Sequence, residues 1–429
     1  MSILAEDTRT PRMQIVVVNN FGSMVGGAEK VAITTALELS RIGFEVGFFS
    51  GGPLGNDFAS SSVRTCSLEL RKPSEIGSNL ERLEGILSRE HAVNTLLGFL
   101  GRFPPAETVI HVHSYLGLIP SRAIVRAVAA GYRAVFTCHD YRMACPSGTF
   151  YDARREKLCR LRPLSLRCWG AECTNQGYSV KAYRMVRSVF DQRIDRTARH
   201  VSRFLYVSEF SRRILEPLIG SEGRSRVLYN PCDVVRTAPA TPASNGRFAW
   251  VGRLVPEKNP VLFAQATAHA KVPGVFVGRG PLESEVRAAS SDAEITGWLE
   301  PREAQARIRS SRALVMTSTW YEAAPMVALE ALAAGVPLVV PDTCAAREFI
   351  SEGETGLVFQ SGDVQDLGRK LAMLGDDALV RRLGANAYER YWAAPYDLNR
   401  HLSALVDVYR EAASIGAAEA DASALTSHA

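Results

Sequence analysis

The stretch ALVMTSTWYEAAPMVALEALAAGVPLVVPD, Ala313 to Asp342, contains a complete strand–helix–strand unit. The apolar runs ALVMTS and PLVVPD at its two ends are typical of strands that are buried on both faces. Pro325 stands where the first turn of a helix tolerates proline, and Gly335 followed by Pro337 is a common helix end. The sequence therefore predicts a helix over Ala324–Ala334 between two parallel strands.

Strand-like runs alternate with helical segments along most of the chain, which predicts an α/β architecture with parallel sheets. The first series of predicted strands consists of MQIVVVN, FEVGFFSGG, TVIHVHSY, RAVFTCHD and SRFLYVSE. MQIVVVN is followed by a predicted helix over Gly26–Gly43. The second series consists of RFAWVGRL, PGVFVGRG, AEITGWL, ALVMTS and PLVVPD.

A segment rich in Pro, Ala, Thr and Ser, Tyr229–Asn245, separates the two series and is expected to be a linker. The predicted domains are residues 13–228 and residues 246–395, followed by a final helix at residues 396–415. The first 12 residues and the last 14, GAAEADASALTSHA, are expected to be disordered tails.

The composition indicates a globular protein with more than one core. The chain has 429 residues, of which 46% are hydrophobic and 22% charged. No apolar run reaches the roughly 20 residues that span a bilayer, and the N-terminus MSILAEDTRTPR lacks the apolar core of a signal peptide. Eight cysteines over this length favour a reduced compartment. We therefore expect a cytoplasmic protein.

Positive charge is concentrated in one part of the chain. Residues 152–213 contain 15 Lys/Arg and 6 Asp/Glu, a balance of +9, whereas the whole chain carries +5 and the rest therefore about −4. This basic stretch suggests an anionic partner such as an acidic membrane or a lipid-linked acceptor. A solvated basic face without any partner is the alternative. No nucleic-acid partner is expected.

Two glutamates, Glu322 and Glu330, lie in the otherwise apolar stretch described first. Glu322 precedes the predicted helix at the carboxyl edge of the sheet, where open α/β sheets bind their ligands. Glu330 lies one and a half turns into the helix and leans back toward its N-terminus. The free amides of Met326 and Val327 at that end form a ready phosphate site. A ligand with phosphates and several hydroxyls, such as a nucleotide-sugar, fits this set.

Two further loops support a diphosphate ligand. GRLVPEKN places Arg253 and Lys258 after a strand, where two cations can clamp a diphosphate without a metal ion. FGSMVGGAEK links the first strand to its helix through glycines, including Gly27, that let backbone amides approach a phosphate. The spacing differs from G-x-G-x-x-G, which disfavours a dinucleotide-dependent dehydrogenase.

These motifs together resemble the family-4 retaining glycosyltransferases of the GT-B fold. The resemblance rests on GGAE, GRLVPEK and E-x7-E before ALAAGVPLVV, and it continues in VSEFSRRIL, YNPCD, VGRGPLE and GETGLVF. It covers residues 13–412 and implies two Rossmann-like doubly wound domains that face each other across a cleft. The final helix is then expected to cross back onto the first domain.

The resemblance also implies roles for individual residues. Arg253 and Lys258 neutralise the diphosphate, Glu330 binds the ribose hydroxyls and Glu322 approaches the hydroxyls of the donor sugar. His139, in TCHDYRMACP, is expected near the transferred sugar. The implied catalytic residues are His139, Glu322, Arg253 and Lys258. The implied donor-binding residues are Gly27, Arg253, Lys258, Gly297, Leu299, Glu322, Ala324, Pro325, Met326, Val327 and Glu330.

Some of these residues have structural alternatives. His139 could be a core histidine capped by Asp140. His111 and His113 could have a purely structural role at the end of their strand. An insert at residues 141–178 breaks the α/β pattern and holds half the cysteines. These four thiols, Cys145, Cys159, Cys168 and Cys173, could be ordinary buried thiols, ligands of a structural zinc ion, or groups with a redox or disulfide role.

The expected activity is metal-independent, retaining transfer of a sugar from a nucleotide-diphosphate sugar to a glycan or lipid-linked acceptor, in polysaccharide or glycolipid biosynthesis. The chain contains no D-x-D motif, and no cofactor is expected. Peripheral contact with an anionic membrane is a further expectation. The alternatives are a nucleotide-sugar epimerase of the same fold and a non-catalytic protein that binds sugar nucleotides.

Overall fold

The computed structural model describes residues 13–71 and 89–426, with side chains up to Ser414. The predicted tail at residues 1–12 lies outside the described residues. The strands of the first half are β1 (Gln14–Asn19), β2 (Glu45–Ser50), β3 (Arg64–Ser67), β4 (Thr108–Val112), β5 (Arg133–Cys138), β6 (Tyr151–Asp152), β7 (Lys157–Leu158), β8 (Arg203–Tyr206) and β9 (Ser225–Val227). Its helices are α1 (Gly27–Arg41), α2 (Arg89–Leu100), α3 (Ser121–Ala129), α4 (Leu166–Gly170), α5 (Tyr178–Val189) and α6 (Glu209–Ile219).

Seven of these strands form one parallel sheet in the order β3-β2-β1-β4-β5-β8-β9. The interior strand β1 is buried along its whole length because helices cover both faces of the sheet. Ile15 and Val17 point to one face, where they pack with the final helix of the chain. Val16 and Val18 point to the opposite face, which explains why the strand is continuously apolar rather than alternating.

The second half builds a smaller sheet of the same kind. Its strands are β10 (Phe248–Val251), β11 (Gly274–Val277), β12 (Glu294–Ile295), β13 (Ala313–Val315), β14 (Leu338–Pro341) and β15 (Gly356–Phe359). They are parallel, in the order β12-β11-β10-β13-β14-β15. Its helices are α7 (Pro260–Ala270), α8 (Glu283–Ala289), α9 (Pro301–Arg309), α10 (Met326–Ala334), α11 (Val364–Met373) and α12 (Asp377–Ala393).

The final helix α13 (Leu398–Thr426) follows the second half in sequence but packs on the first. Leu402, Leu405 and Tyr409 belong to the same core as β1. Glu411 forms ion pairs with Arg203 at 3.4 Å and with Arg226 at 2.5 Å, at the edge of the first sheet. The helix therefore ties the end of the chain to the first sheet.

The structure corrects the sequence analysis at several points. Helix α10 begins at Met326 rather than Ala324, because Pro325 keeps an extended ψ of 93° and caps the helix instead of opening its first turn. Helix α13 runs to Thr426, so the disordered tail predicted from Gly416 is wrong for most of its length. The strands β3, β9 and β15 were not predicted; each has only three or four residues.

Candidate active site

Each sheet has one place where the strand order reverses, and there the carboxyl ends of neighbouring strands leave a crevice. In the second sheet the reversal falls between β10 and β13. The loop after β10 carries Arg253 and Lys258, and the loop after β13 carries Glu322. Sheet topology therefore brings together residues that are more than 60 positions apart in sequence.

One threonine holds these two loops in register. The hydroxyl of Thr317, just after β13, lies 2.9 and 2.7 Å from the carbonyl oxygens of Lys258 and Asn259. It also accepts a 2.9 Å hydrogen bond from the buried indole N–H of Trp250 in β10. Asn259 adopts the left-handed conformation and caps α7 through its side chain, which ends the turn that carries Lys258. The backbone on both sides of Lys258 is thus fixed.

Lys258 and Glu322 form a buried ion pair in the crevice. The Lys258 ammonium donates to Oε1 of Glu322, and the Ser318 hydroxyl donates to Oε2 at 2.6 Å. Glu322 is only 7% exposed. Each carboxylate oxygen keeps a second lone pair and the ammonium keeps two N–H donors. Both groups can therefore bind a ligand without breaking the pair.

Arg253 projects from a loop that is held by glycines just after the neighbouring strand β11. A Cβ atom on Gly278 would lie 1.9 Å from the carbonyl oxygen of Gly252, and one on Gly280 would lie 2.4 Å from that of Leu254. Backbone hydrogen bonds join the same segments, from Gly252 N to Val277 O and from Leu254 N to Arg279 O. The Arg253 side chain itself is 72% exposed, and its nearest carboxylate, Glu257, is 3.7 Å away. Its guanidinium is therefore available to an anion.

The N-terminus of α10 follows Glu322 by four residues, after the carboxyl end of β13. The amides of Met326 and Val327 precede the first hydrogen bond of the helix, which runs from Ala328 N to Pro325 O at 3.1 Å. Ala324 and Pro325 directly precede the helix, and Pro325 is its N-terminal cap. Together with the helix dipole, the two amides favour a negative group at this end.

Glu330 is the most perturbed carboxylate of the site. Burial raises the pKa of Glu330 from its usual 4.5 to about 7, while the charge of Lys30 lowers it and Asp233 raises it. Lys30 lies in α1 of the first half, 4.0 Å from Asp233. The sequence analysis missed Lys30, although it directly follows the quoted GGAE. A cation from the first half therefore faces a carboxylate of the second.

The remaining predicted donor-binding residues lie in loops at the carboxyl edges. Gly27 is the first residue of α1, and nothing lies within 4 Å of the position of its missing Cβ. Gly297, with a φ of 74°, forms a bridge with Gly278, which places the Gly297–Leu299 loop beside the loop of Arg253. Trp298 between them is 67% exposed.

His139 follows β5 at the carboxyl edge of the first sheet, and its ring bonds to another histidine. His139 Nε2 lies 2.9 Å from His113 Nδ1. The alternative in which Asp140 caps His139 is wrong, because Asp140 instead accepts from the backbone N–H of Arg142 at 2.9 Å and pairs with its guanidinium.

Two contacts join the halves next to the site. Glu348, from the turn after β14, accepts the backbone N–H groups of Glu209 and Phe210 at the start of α6, the first at 3.0 Å. Tyr229 also donates to Glu348 at 3.1 Å. Tyr321, next to Glu322, packs edge-on against Phe210, with ring centroids 5.6 Å apart. The second half thus caps a helix of the first.

The cysteine-bearing insert contains the hairpin β6–β7 and the short helix α4. All eight cysteines of the chain are free thiols. Burial raises the pKa of the Cys159 and Cys168 thiols. Within residues 13–71 and 89–426, no three His, Cys, Asp or Glu side chains are arranged to hold a metal ion. Zinc binding by the four insert cysteines stays a prediction.

Two family models match adjoining parts of the chain. The model described as Glycosyltransferase Family 4 matches residues 25–236, and Glycosyl transferases group 1 matches residues 236–390. The chain belongs to glycosyltransferase family 4. The GGAE motif of the first half and the two glutamates of the second fall within these matches.

Curated relatives match this family-4 chain over part of their length. It is 29% identical over 193 residues to D-inositol 3-phosphate glycosyltransferase of Nocardia farcinica, covering 39% of the chain and 43% of the relative. It is 31% identical over 143 residues to GDP-mannose-dependent alpha-mannosyltransferase of Mycobacterium tuberculosis, covering 31% and 38%. The matched stretches thus span about two fifths of these relatives.

Solved structures resemble the whole family-4 chain. Sucrose-phosphate synthase from Thermosynechococcus elongatus superposes with a TM-score of 0.67 at 16% identity, covering 93% of this chain and 99% of that one. Anabaena HepE in complex with UDP superposes with a TM-score of 0.61 at 16% identity, covering 93% and 100%. These similarities establish the GT-B fold, with two Rossmann-like halves.

No helix among the described residues combines the length and apolarity that crossing a bilayer requires.

Proposed function

We propose that this family-4 protein is a retaining glycosyltransferase that moves a sugar from a nucleotide-diphosphate sugar to a glycan or lipid-linked acceptor. The observation that carries the proposal is the crevice of the second sheet, where the Lys258–Glu322 ion pair joins the loop that carries Arg253 to the segment that leads into α10. Relatives support the donor class: one is named as GDP-mannose-dependent, and HepE structures contain UDP and UDP-glucose.

The positive groups of the crevice suit a departing nucleoside diphosphate. Arg253 is free to move onto a phosphate, and Lys258 keeps two N–H donors beyond its bond to Glu322. The amides of Met326 and Val327 add neutral donors with the helix dipole behind them. Preorganised donors of this kind stabilise the charge that develops on a leaving group. We propose that they replace a divalent metal ion in this enzyme.

The carboxylates suit the hydroxyls of the donor. Glu322 is held by Lys258 and Ser318, so its free lone pairs have fixed directions toward a sugar. We propose that Glu330 accepts from ribose hydroxyls and that the Gly297–Leu299 loop lines the base. We propose that Gly27 covers the diphosphate from the first half and that His139 borders the transferred sugar.

A panel of nucleotide-sugars tests the proposal. Thermal-shift screening identifies the preferred donor, and transfer of its labelled sugar to a glycan or lipid acceptor then tests activity. Glu322→Gln is expected to bind the nucleotide but lose transfer, and the exposed Glu389→Gln serves as the control. Turnover of donor without any acceptor would instead indicate an epimerase. Binding with no chemistry under any condition would leave a sugar-nucleotide-binding protein.

We further propose that the first half rests on an anionic membrane, as a lipid-linked acceptor requires. A pocket of about 280 Å³ beside the end of α6 is lined by Arg193, Arg196 and Arg199, and none of these arginines has an ion-pair partner among the described side chains. Ile194 and Leu218 next to them are 57% and 48% exposed. Guanidinium groups beside exposed apolar side chains suit acidic headgroups above an acyl layer.

The basic stretch contributes less charge to this surface than its sequence suggests. Lys181 is buried and donates to the carbonyl oxygens of Cys168 and Ala171, and Arg154 pairs with Glu172. Vesicle sedimentation is expected to require acidic lipid and to fall with salt. Arg193→Glu and Arg199→Glu together should abolish it, whereas the exposed Arg302→Glu should not. Equal binding to neutral and acidic vesicles would refute the membrane proposal.

A further inference from the structure

A row of hydrogen-bonded side chains runs from the final helix to the crevice of the first sheet. The Tyr409 hydroxyl in α13 lies 2.7 Å from His111 Nδ1, and His111 Nε2 lies 2.7 Å from the Thr137 hydroxyl. His111 Nδ1 is also 3.2 Å from His113 Nε2, and His113 Nδ1 is 2.9 Å from His139 Nε2. Three imidazoles at the carboxyl ends of the neighbouring strands β4 and β5 thus form one continuous row.

Burial favours the neutral form of all three imidazoles. Burial, followed by the nearby histidines, lowers the pKa of His111 and His113 well below the usual value. Burial and then His401 lower the pKa of His139 to about 3. A neutral imidazole carries one N–H and one acceptor nitrogen, so neighbouring rings can bond only if all their protons point the same way along the row.

The buried tyrosine determines this direction. Tyr409 is fully buried, and its hydroxyl has no acceptor other than His111 Nδ1 among the described residues. The tyrosine proton therefore goes to that nitrogen, which obliges His111 to carry its own proton on Nε2, toward Thr137. The opposite direction would leave the Tyr409 proton, confined near the ring plane, without a partner. In the direction we assign, the Thr137 hydroxyl accepts from His111 Nε2, and its own proton can rotate away because the hydroxyl turns freely.

The order of the remaining protons follows. His113 donates from Nε2 to His111 Nδ1, which already accepts from Tyr409, and sharing one lone pair explains the longer 3.2 Å distance. His139 then donates from Nε2 to His113 Nδ1. Its other nitrogen, Nδ1, is left unprotonated and has no partner among the described side chains. His139 is partly exposed at the crevice, whereas His111 and His113 are buried.

We infer that His113 is a positioning residue that, backed by His111 and Tyr409, holds His139 in the Nε2–H tautomer so that Nδ1 faces the crevice as a fixed hydrogen-bond acceptor. The consequence for catalysis rests on the proposed function: His139 accepts from a hydroxyl of the bound sugar and does not supply a proton to the leaving group. The final helix thus takes part in the active site through a single hydroxyl.

The tautomer is directly measurable in the full chain without any substrate. Long-range ¹H–¹⁵N NMR spectra of ¹⁵N-histidine-labelled protein report which ring nitrogen carries the proton, and the His139→Asn variant identifies the signals among eight histidines. The Nε2–H form is expected for His139 in the native chain. In Tyr409→Phe, which keeps the ring but removes the hydroxyl, a mixture of both tautomers is expected. An Nδ1–H form in the native chain overturns the inference, as does an unchanged tautomer in Tyr409→Phe.

Kinetics distinguishes positioning from a purely structural role. His113→Leu is expected to lower kcat per folded molecule by ~10- to 100-fold, the scale for misplacing a group near the reacting atoms, with the KM of the nucleotide-sugar unchanged. His113→Asn, which keeps an acceptor near the Nδ1 position, should recover part of the loss, and the exposed His200→Leu is the matched control. Unchanged kcat per folded molecule in His113→Leu refutes the positioning role. If the native chain transfers no sugar at all, the proposed function fails, and the NMR result still decides the order of the protons.

Discussion

Replacing Glu330 by glutamine should stabilise the ligand-free protein at neutral pH and weaken nucleotide binding at the same time. Burial raises the pKa of Glu330 from 4.5 to about 7. Below pH 4.5 the carboxyl is protonated in both folded and unfolded chains and costs nothing. Between about pH 4.5 and 7 the unfolded chain releases its proton while the folded chain retains it, so the native protein loses stability across this window relative to the variant.

The size of the effect follows from the two pKa values. Their difference is 7 − 4.5, or about 2.5, and each pKa unit corresponds to ~1.36 kcal/mol, so the full penalty above pH 7 is about 3 kcal/mol. For domains of this size, 1 kcal/mol shifts the thermal midpoint by roughly 2–4 °C, which gives about 6–12 °C for the C-terminal half. Loss of hydrogen bonds from a charged acceptor to ribose should cost about 1–3 kcal/mol of nucleotide binding.

Thermal unfolding of native protein, Glu330→Gln and the exposed control Glu389→Gln at pH 5 and pH 8 measures the first effect. The gap between native protein and Glu330→Gln should be small at pH 5 and large at pH 8, whereas Glu389→Gln should follow the native protein at both. Calorimetric titration with the preferred nucleotide measures the second effect. Equal pH dependence in all three proteins would show that Glu330 ionises normally, and unchanged nucleotide affinity would remove it from the ribose site.

Sugar transfer should persist in EDTA. Arg253→Ala or Lys258→Ala should lower kcat at least ~100-fold, the scale for losing one preorganised donor. Activity that vanishes in EDTA with the fold intact and returns with magnesium would contradict the metal-free mechanism. Glu348→Gln replaces one carboxylate oxygen by an NH₂ group that cannot accept an N–H of α6, so it should lower the free energy of unfolding by about 1 kcal/mol. It should also enlarge the radius of gyration in X-ray scattering. An unchanged radius would show that the contact between the halves does not depend on this cap. The exposed indole of Trp298 should report nucleotide binding by a change of fluorescence that Trp298→Phe removes, and an equal change in that variant would place the base elsewhere.

The parallel α/β fold was predictable because strands covered on both faces are continuously apolar. Ile15 to Val18 show this pattern along the whole of β1, and the strand was correctly placed to within one residue. The strands β3, β9 and β15 escaped prediction because three or four residues are too few to show any periodicity. The start of α10 was placed two residues early because proline is acceptable both as a cap and in the first turn.

The candidate site was predictable only where its residues share one loop or helix. Glu322 and Glu330 could be related through helix geometry, and Arg253 and Lys258 through their common loop. Lys30 could not, because its approach to Glu330 joins the two halves of the chain and no spacing in the sequence records it. The row from Tyr409 to His139 could not be predicted from the sequence either, because His111 and Tyr409 are 298 positions apart.

The same distribution of residues has a consequence for how the site assembles. Glu330 is costly to ionise in a half-buried crevice, and the compensating charge of Lys30 arrives only when the first half lies against the second. Glu348 capping α6 stabilises that arrangement, and a bound diphosphate would add further contacts from both halves. A ligand that bridges the halves shifts the equilibrium toward the arrangement it binds best. Donor binding and approach of the halves should therefore be coupled, and Glu330 should ionise most readily when both halves are in place.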